Sequence, residues 1–237
     1  MVPQQATRLA PPVRLDSRVG AADSASVEPG AIPPSKRVEN KLPRCAWCGL
    51  PLALCLCDEL PRLRTRTRVV LIMHHVEQRR TTNTGRLAIR SLTQGQIRVR
   101  GLLDGPPRDP LPDGRKLLLF PREDAEILTP EHGASEPVVL IVPDGNWNQA
   151  QRMARRDVDA QGATHVTLPP GAPSRYQLRR NPRDGTLSTL EAIARALAIL
   201  EGPGIEEPLL ALFDAFVSRS LSLRQTGKPR ALPSDAG

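Results

Sequence analysis

An uninterrupted run of β-branched and aliphatic residues, 138–142, is followed directly by Pro143-Asp144-Gly145. A run of this kind, closed by turn residues, predicts a strand that is buried on both faces. Residues 146–156 contain neither Pro nor Gly and end in two arginines, which predicts a helix with cations in its last turn. Asp144 therefore lies where a strand ends and a helix begins, the position at which open α/β sheets bind ligands. In the simpler interpretation, Asp144 only caps the helix and Trp147 only packs.

Strand and helix patterns alternate along the rest of the chain. Further strands are predicted at residues 68–73, 96–103, 116–120 and 164–168. Helices are predicted at residues 85–92, from a capping box at Ser188–Glu191 to Gly202, and from about Pro208 onward. Strands that alternate with helices favour an α/β domain with a mostly parallel sheet.

All four cysteines lie close together near the start of this region, in the pattern C-x2-C-x6-C-x-C. Cys45, Cys48, Cys55 and Cys57 can complete one tetrahedron of thiolates around zinc, and a closed four-Cys shell is structural rather than catalytic. Iron–sulfur ligation and four unrelated buried thiols are the alternatives. We expect zinc to pin a short leucine-containing segment that has no core of its own.

The chain is basic, with a net charge of +8 and a sequence pI of about 10.1. Residues 61–100 hold ten arginines and one acid, Glu77. Such a balance predicts an anionic partner, with nucleic acid as the leading candidate, although biased codon usage and a solvated face produce the same pattern. The helix start near Thr84 is a possible anion site, and His75 is a candidate ligand or base.

Composition also divides the chain. Residues 1–40 and 226–237 lack apolar periodicity and are predicted to be disordered, residues 41–60 form the zinc knuckle, and residues 61–225 form the main domain. No apolar run is long enough to span a membrane and no secretory signal is visible, so a cytoplasmic location is expected. The absence of GxGxxG after the first strand and of a P-loop argues against a nicotinamide or ATP site.

Five elements together resemble the DTW-domain family. They are the four-Cys cluster, Asn83-Thr84-Gly85-Arg86-Leu87, Pro143-Asp144-Gly145-Asn146-Trp147, Pro173-Ser174-Arg175-Tyr176-Gln177-Leu178-Arg179, and Leu187-Ser188-Thr189-Leu190-Glu191-Ala192. They occur in this order over most of the chain outside the tails. The family signature is Asp-x-Thr-Trp, and this chain has Asn146 where Thr is usual.

The resemblance implies a SPOUT-like fold with a trefoil knot around S-adenosylmethionine. It also implies transfer of the 3-amino-3-carboxypropyl group from this donor to N3 of a tRNA uridine, with release of methylthioadenosine. A membrane or DNA partner is not expected. A SPOUT-type RNA methyltransferase and a non-catalytic zinc-containing RNA-binding protein are the two alternatives.

Three sets of residues follow from the resemblance and from the strand-end positions. We predict Asp144 as the base or as the group that orients the uracil, Trp147 as a stacking platform, and Arg175 as a partner of the donor carboxylate or of an RNA phosphate. The predicted donor-binding residues are Phe120, Pro143, Asp144, Gly145, Trp147, Ser174, Leu187, Ser188, Thr189 and Glu191. The predicted RNA-binding residues are Arg79, Arg80, Asn83, Arg86, Arg179 and Arg180.

Overall fold

The computed structural model describes residues 42–102, 109–176, 178 and 186–226. The predicted N-terminal tail lies outside the described residues. So does the predicted C-terminal tail, except for Thr226, which ends the last helix.

A parallel sheet of six strands forms the centre of the molecule, in the order β2-β1-β5-β3-β6-β4. The strands are β1 (Arg68–His74), β2 (Gly95–Arg100), β3 (Arg115–Leu119), β4 (Glu126–Ile127), β5 (Val138–Asp144) and β6 (Thr164–Thr167). This confirms the predicted α/β class and parallel sheet. The short edge strand β4 was not predicted, because its two exposed residues leave no apolar pattern. The knot stays a prediction.

Within the described residues, four α-helices connect and cover the strands: α1 (Gly85–Arg90), α2 (Trp147–Arg156), α3 (Thr189–Glu201) and α4 (Glu206–Thr226). Ser188 and Glu191 form the predicted capping box at the start of α3. At the start of α2, Asn146 is the N-cap and pairs reciprocally with Gln149. The simpler interpretation of Asp144 as a helix cap is therefore wrong. None of the helices in the described part of the chain is long and apolar enough to cross a membrane.

The sheet separates two hydrophobic cores, because alternate residues of each strand point to opposite faces. One core packs Leu71, Leu140 and other strand residues against α1, α3 and α4. The other packs the intervening residues, such as Ile72 and Ile141, against α2. Every residue of β5 is buried, which explains its continuous apolar sequence.

The four-Cys segment packs onto the larger core rather than standing apart. Cys45 and Cys48 are buried within that core. The guanidinium of Arg219, on α4, donates to the carbonyl oxygens of Leu54 and Cys55 at 3.3 and 3.0 Å. Its second nitrogen lies 2.8 Å from both carboxylate oxygens of Glu59. The segment is thus tied to the C-terminal helix through one arginine.

A buried ion-pair cluster joins the edge strand β2 to the segment after α2. Arg98 donates to Asp159 at 3.0 Å, and Arg100 donates to Asp157 at 2.7 Å and to Asp159. These two arginines belong to the basic stretch 61–100, where we predicted contact with RNA. Their charges are instead neutralised inside the protein.

Replacing Asp159 by Ala should destabilise the fold by about 3 kcal/mol, because it leaves the buried Arg98 guanidinium without its carboxylate. Urea unfolding followed by circular dichroism measures this loss. Asp124→Ala is the control, since Asp124 forms an ion pair with Arg122 but is 66% exposed. Equal stability of the two variants would contradict a structural role for the cluster.

Candidate active site

The Asp144 carboxylate lies at the carboxyl end of β5, where three elements meet. Only 5% of Asp144 is exposed. Nδ2 of Asn83, just before α1, donates to Oδ2 at 2.6 Å. Oγ1 of Thr189, the first residue of α3, donates to Oδ1 at 2.6 Å. Both carboxylate oxygens are therefore occupied by short hydrogen bonds from residues that are distant in sequence.

Further ionisable groups surround this carboxylate. Burial raises the pKa of Asp144 above its ordinary value, and the hydrogen bonds from Thr189 and Asn83 oppose that rise. Burial, together with the charge of Asp144, also raises the pKa of Glu77. Two cationic groups balance these acids: Arg80, whose Nε lies 3.2 Å from Glu77 Oε1, and the buried Arg86. Burial lowers the pKa of Arg86, and the charge of Asp144 opposes that change.

The start of α1 is shaped to reach Asp144. Oδ1 of Asn83 accepts the backbone N–H of Arg86 at 3.0 Å, which orients the amide so that Nδ2 faces the carboxylate. Gly85, the first residue of α1, lies against the Asp144 carboxyl group. A Cβ at this position would be 3.0 Å from Leu71, 3.1 Å from Thr189 and 3.2 Å from the Asp144 carboxyl carbon. Only a residue without a side chain leaves this approach free of crowding.

An aromatic pair lies at the same carboxyl end of the sheet, on the face covered by α2. The rings of Phe120, after β3, and Trp147, at the start of α2, have centroids 5.2 Å apart. Phe120 is buried, whereas Trp147 is 36% exposed. Asn146 accepts the Gln149 N–H at 2.9 Å, the capping role that a Thr hydroxyl at this position would also perform. The departure from the family signature therefore preserves the helix start.

The loop 173–176 is fastened to the start of α3 by Glu191. This carboxylate accepts from Ser174 Oγ at 2.6 Å and from the backbone N–H groups of Arg175 and Ser188 at 2.8 Å. Burial alone would raise the pKa of Glu191, but these hydrogen bonds hold it below its ordinary value. Glu191 is 1% exposed, so its role in this structure is to position the loop.

Several predicted residues lie elsewhere or are inaccessible. The Arg175 side chain pairs at 2.7 Å with Asp214 of α4, on the surface, and makes no described contact with Asp144. Arg86 and Asn83 were predicted to bind RNA, but they are 1% and 6% exposed. Arg86 donates to the carbonyl oxygens of Gln78 and Arg80 instead.

The remaining predicted residues fall into three groups. Arg79 and Arg80 are exposed, as RNA contact requires. Pro143 is buried, and Gly145 and Leu187 are partly buried, beside Asp144 and Ser188 in the chain. Arg179 and Arg180 lie outside the described residues.

Sequence reasoning missed Gly85, Glu77 and the role of Asn83 as a partner of Asp144. Asn83 and Gly85 belong to a motif that the sequence did single out. However, Asn83 and Asp144 are 61 positions apart, and no local pattern indicates that they touch.

The four cysteine sulfurs converge as a metal site requires. They lie within 4.8 Å of one another, with Cys45–Cys57 at 3.5 Å and Cys48–Cys55 at 3.8 Å. A zinc tetrahedron with Zn–S bonds of about 2.3 Å has edges of about 3.8 Å, so the four sulfurs fit zinc.

Backbone donors and burial act differently on the thiols of this cluster. Although burial opposes the change, backbone N–H groups of Cys48 and Trp47 help lower the pKa of Cys45 to about 7. Burial raises the pKa of Cys48 to about 11. A cation bound between the sulfurs would favour the thiolate at every position.

This is a parallel α/β protein. It carries a buried carboxylate at the end of its central strand and a four-Cys cluster. The DTW domain family matches residues 42–221, and the chain belongs to that family. The resemblance seen in the sequence is thereby confirmed.

Named relatives extend the comparison. The chain is 32% identical to tRNA-uridine aminocarboxypropyltransferase 2 of Macaca fascicularis, over 80% of this chain and 66% of that protein. It therefore spans just under two thirds of the length of this relative. It is 28% identical to the Drosophila melanogaster protein of the same name, over 76% of this chain and 74% of that one. It is also 28% identical to tRNA-uridine aminocarboxypropyltransferase A of Arabidopsis thaliana, over 78% and 84%.

A solved structure also resembles this chain. It is the SAM-dependent rRNA:acp-transferase Tsr3 from Vulcanisaeta distributa, with a TM-score of 0.44 and 18% identity. The match covers 70% of this chain and 80% of that one.

The purified protein should contain one zinc ion per chain, because four thiolates at these distances form a closed tetrahedral shell. Elemental analysis measures the metal. Chelation should lower the thermal midpoint of unfolding, because the four-Cys segment loses the ion that holds it together. Iron with absorption typical of a cluster would support the alternative ligation. Four thiols that react freely in the native protein, without metal, would contradict the site.

Replacing Gly85 by Ala should disturb the Asp144–Thr189 contact, because the new methyl group would lie 3.0–3.2 Å from Leu71, Thr189 and Asp144. Overpacking of this kind typically costs about 1–3 kcal/mol, more than the helix propensity that Ala adds. Thermal unfolding and donor affinity measure the effect. Gly204→Ala is the control, since nothing lies within 4 Å of a Cβ there. Indistinguishable variants would argue against the tight packing described.

Proposed function

We propose that this protein transfers the 3-amino-3-carboxypropyl group of S-adenosylmethionine to N3 of a uridine in tRNA and releases methylthioadenosine. The observation that carries the proposal is the buried Asp144 carboxylate. It joins Asn83, Thr189 and the Pro143–Trp147 element, three parts of the motif set of this family. The names of the relatives and the basic charge support tRNA as the acceptor. We further propose that the reaction takes place in the cytoplasm.

The reaction makes three demands on the site. The bond from sulfur to the aminocarboxypropyl carbon breaks while a bond from that carbon to uracil N3 forms, so this carbon must face the nucleophile. The N3 proton must pass to a base or to solvent. The donor carboxylate needs a cation or N–H donors.

Asp144 was predicted either as the base or as the group that orients the uracil. The geometry favours an orienting role, since both oxygens already accept hydrogen bonds and only 5% of the residue is exposed. We propose that Asp144 holds the side chains of Thr189 and Asn83 in the positions that catalysis requires.

The neighbouring residues would bind the two substrates. The exposed face of Trp147 would stack on the adenine or the uracil, backed by Phe120. The segments that follow Phe120 and Val142, together with residues 187–189, would surround the donor. The four cysteines would hold zinc in a closed shell, where it supplies structure and no substrate chemistry.

Arg175 would reach the donor carboxylate only by leaving Asp214. That surface ion pair is about half exposed on both sides, so its loss costs little. Arg79 and Arg80 would contact the tRNA backbone, which predicts an affinity that falls steeply with salt.

The proposal is tested by incubating unmodified tRNA with the protein and S-adenosylmethionine, then analysing nucleosides and by-products by mass spectrometry. We expect a uridine heavier by one aminocarboxypropyl group and stoichiometric methylthioadenosine. A methylated nucleoside with S-adenosylhomocysteine would replace the proposal with an RNA methyltransferase. Binding of tRNA with neither donor binding nor product would favour a non-catalytic RNA-binding protein.

Asp144→Asn should lower turnover by about 100-fold or more and leave donor binding largely intact. The new amide keeps the shape of the carboxylate but cannot accept hydrogen bonds at both positions. Single-turnover rates and calorimetric titration of S-adenosylmethionine separate the two effects. Asp124→Asn, at an exposed carboxylate, is the matched control. A wild-type rate in the Asp144 variant would remove this residue from the mechanism.

A further inference from the structure

Two histidines follow one another at the carboxyl end of β1, beside the proposed active site. β1 pairs with β5 so that Met73 lies opposite Asp144, and His74 and His75 come next. Their rings have centroids 4.5 Å apart. Gly101, with φ of +85°, packs against both rings. A Cβ there would lie 2.7 Å from His75 Nδ1, so only glycine allows the two rings to pack this closely against the backbone.

The surroundings of His75 determine which ring nitrogen is available. Nδ1 is buried and has no hydrogen-bond partner among the described residues. A buried N–H without an acceptor is costly, so Nε2 rather than Nδ1 is the ring nitrogen suited to donate a hydrogen bond. His74 is constrained in the same sense, since its Nδ1 accepts the Val76 N–H at 3.4 Å. His75 therefore offers an N–H donor from Nε2.

A cavity of about 430 Å³ opens beside this ring, lined by His75, Val76, Arg79 and Arg80. This volume lies within the range of about 300–1,000 Å³ that small ligands and single nucleotides occupy. Its polar side chains are those of His75, Arg79 and Arg80, and no acidic side chain of the described residues lines it. Glu77, two residues after His75, has a side chain only 8% exposed and pairs with Arg80.

A second surface cleft among the described residues shows the contrast. It has a volume of about 350 Å³ and contains Arg175, but Glu206, Glu207 and Asp214 line it as well. The arginine there is neutralised by Asp214 at 2.7 Å. Arg79, by comparison, forms no ion pair within the described part of the chain. The cavity beside His75 therefore keeps an uncompensated positive charge.

We propose that His75, Arg79 and Arg80 form an oxyanion-binding site next to the Asp144 cluster. The ligand is a group that only accepts hydrogen bonds, either a phosphodiester of the RNA beside the target nucleotide or the carboxylate of the donor. The choice between these two sources rests on the proposed function. The existence of the site rests on the cavity lined by hydrogen-bonding side chains and on the position of His75 against Gly101.

Three variants test the site. His75→Phe keeps an aromatic ring against Gly101 and removes the N–H group that would donate a hydrogen bond. Arg79→Gln removes one exposed charge. Arg155→Gln makes the same charge change in the last turn of α2, which runs back toward the opposite edge of the sheet, and serves as the control. Affinities for an unmodified tRNA transcript and for S-adenosylmethionine are measured separately, the first over a range of salt concentrations.

If the oxyanion is an RNA phosphate, His75→Phe and Arg79→Gln should each weaken tRNA binding by about 3- to 10-fold. Arg79→Gln should also reduce the salt slope by about 1, because it removes one charge that contacts a phosphate. Donor affinity stays at the wild-type value in both. If the oxyanion is the donor carboxylate, donor affinity falls instead and tRNA affinity stays.

Wild-type affinities for both ligands in a folded Arg79→Gln variant would overturn the site, whatever the behaviour of His75→Phe. An equal loss of tRNA affinity in Arg155→Gln would overturn it too, since the effect would then be general charge. Product formation by the wild-type protein is recorded in parallel. Product without any effect of the variants refutes the site alone, and an effect without product refutes the proposed function alone.

Discussion

The buried carboxylate of Asp144 is the interaction on which the arrangement of this protein depends. A carboxylate removed from water is stable only when its oxygens accept strong hydrogen bonds. Asn83 and Thr189 provide them at 2.6 Å each, from the starts of α1 and α3. The central strand and two helices that cover the same core are thereby joined at one point, and any shift of either helix would leave a buried charge unsatisfied.

Helix α3 carries this constraint through the rest of the domain. At its start, Glu191 holds the backbone of Arg175 and the hydroxyl of Ser174. At its end, Glu201 accepts from the backbone and side chain of Thr67 at 2.6 Å, just before β1. One helix therefore fixes both the loop beside the site and the entry to a central strand. Such a support is what keeps site side chains within the narrow tolerance that catalysis needs.

The positive charge of the chain is divided between structure and surface. Arg86, Arg98, Arg100 and Arg219 satisfy carbonyl oxygens or carboxylates inside the fold. Arg79 and Arg80 face solvent at the carboxyl edge of the sheet, one strand from Asp144. Net charge alone does not separate these groups, because both contribute equally to pI while only the second group is available to an anionic partner.

The sequence by itself determined five of the six strands, the capping box of α3 and the four-Cys cluster, because each depends on residues that are near one another in the chain, and the alternation of strands with helices indicated the parallel sheet. Ser188 shows this, since its capping box with Glu191 acts across three residues. Only the tertiary structure decided that Asn83 supports Asp144, that Arg175 pairs with Asp214 and that Arg86 is buried. Those contacts join residues 39 to 61 positions apart or depend on burial. Such contacts depend on how the helices pack against the sheet, and no local sequence pattern predicts that packing.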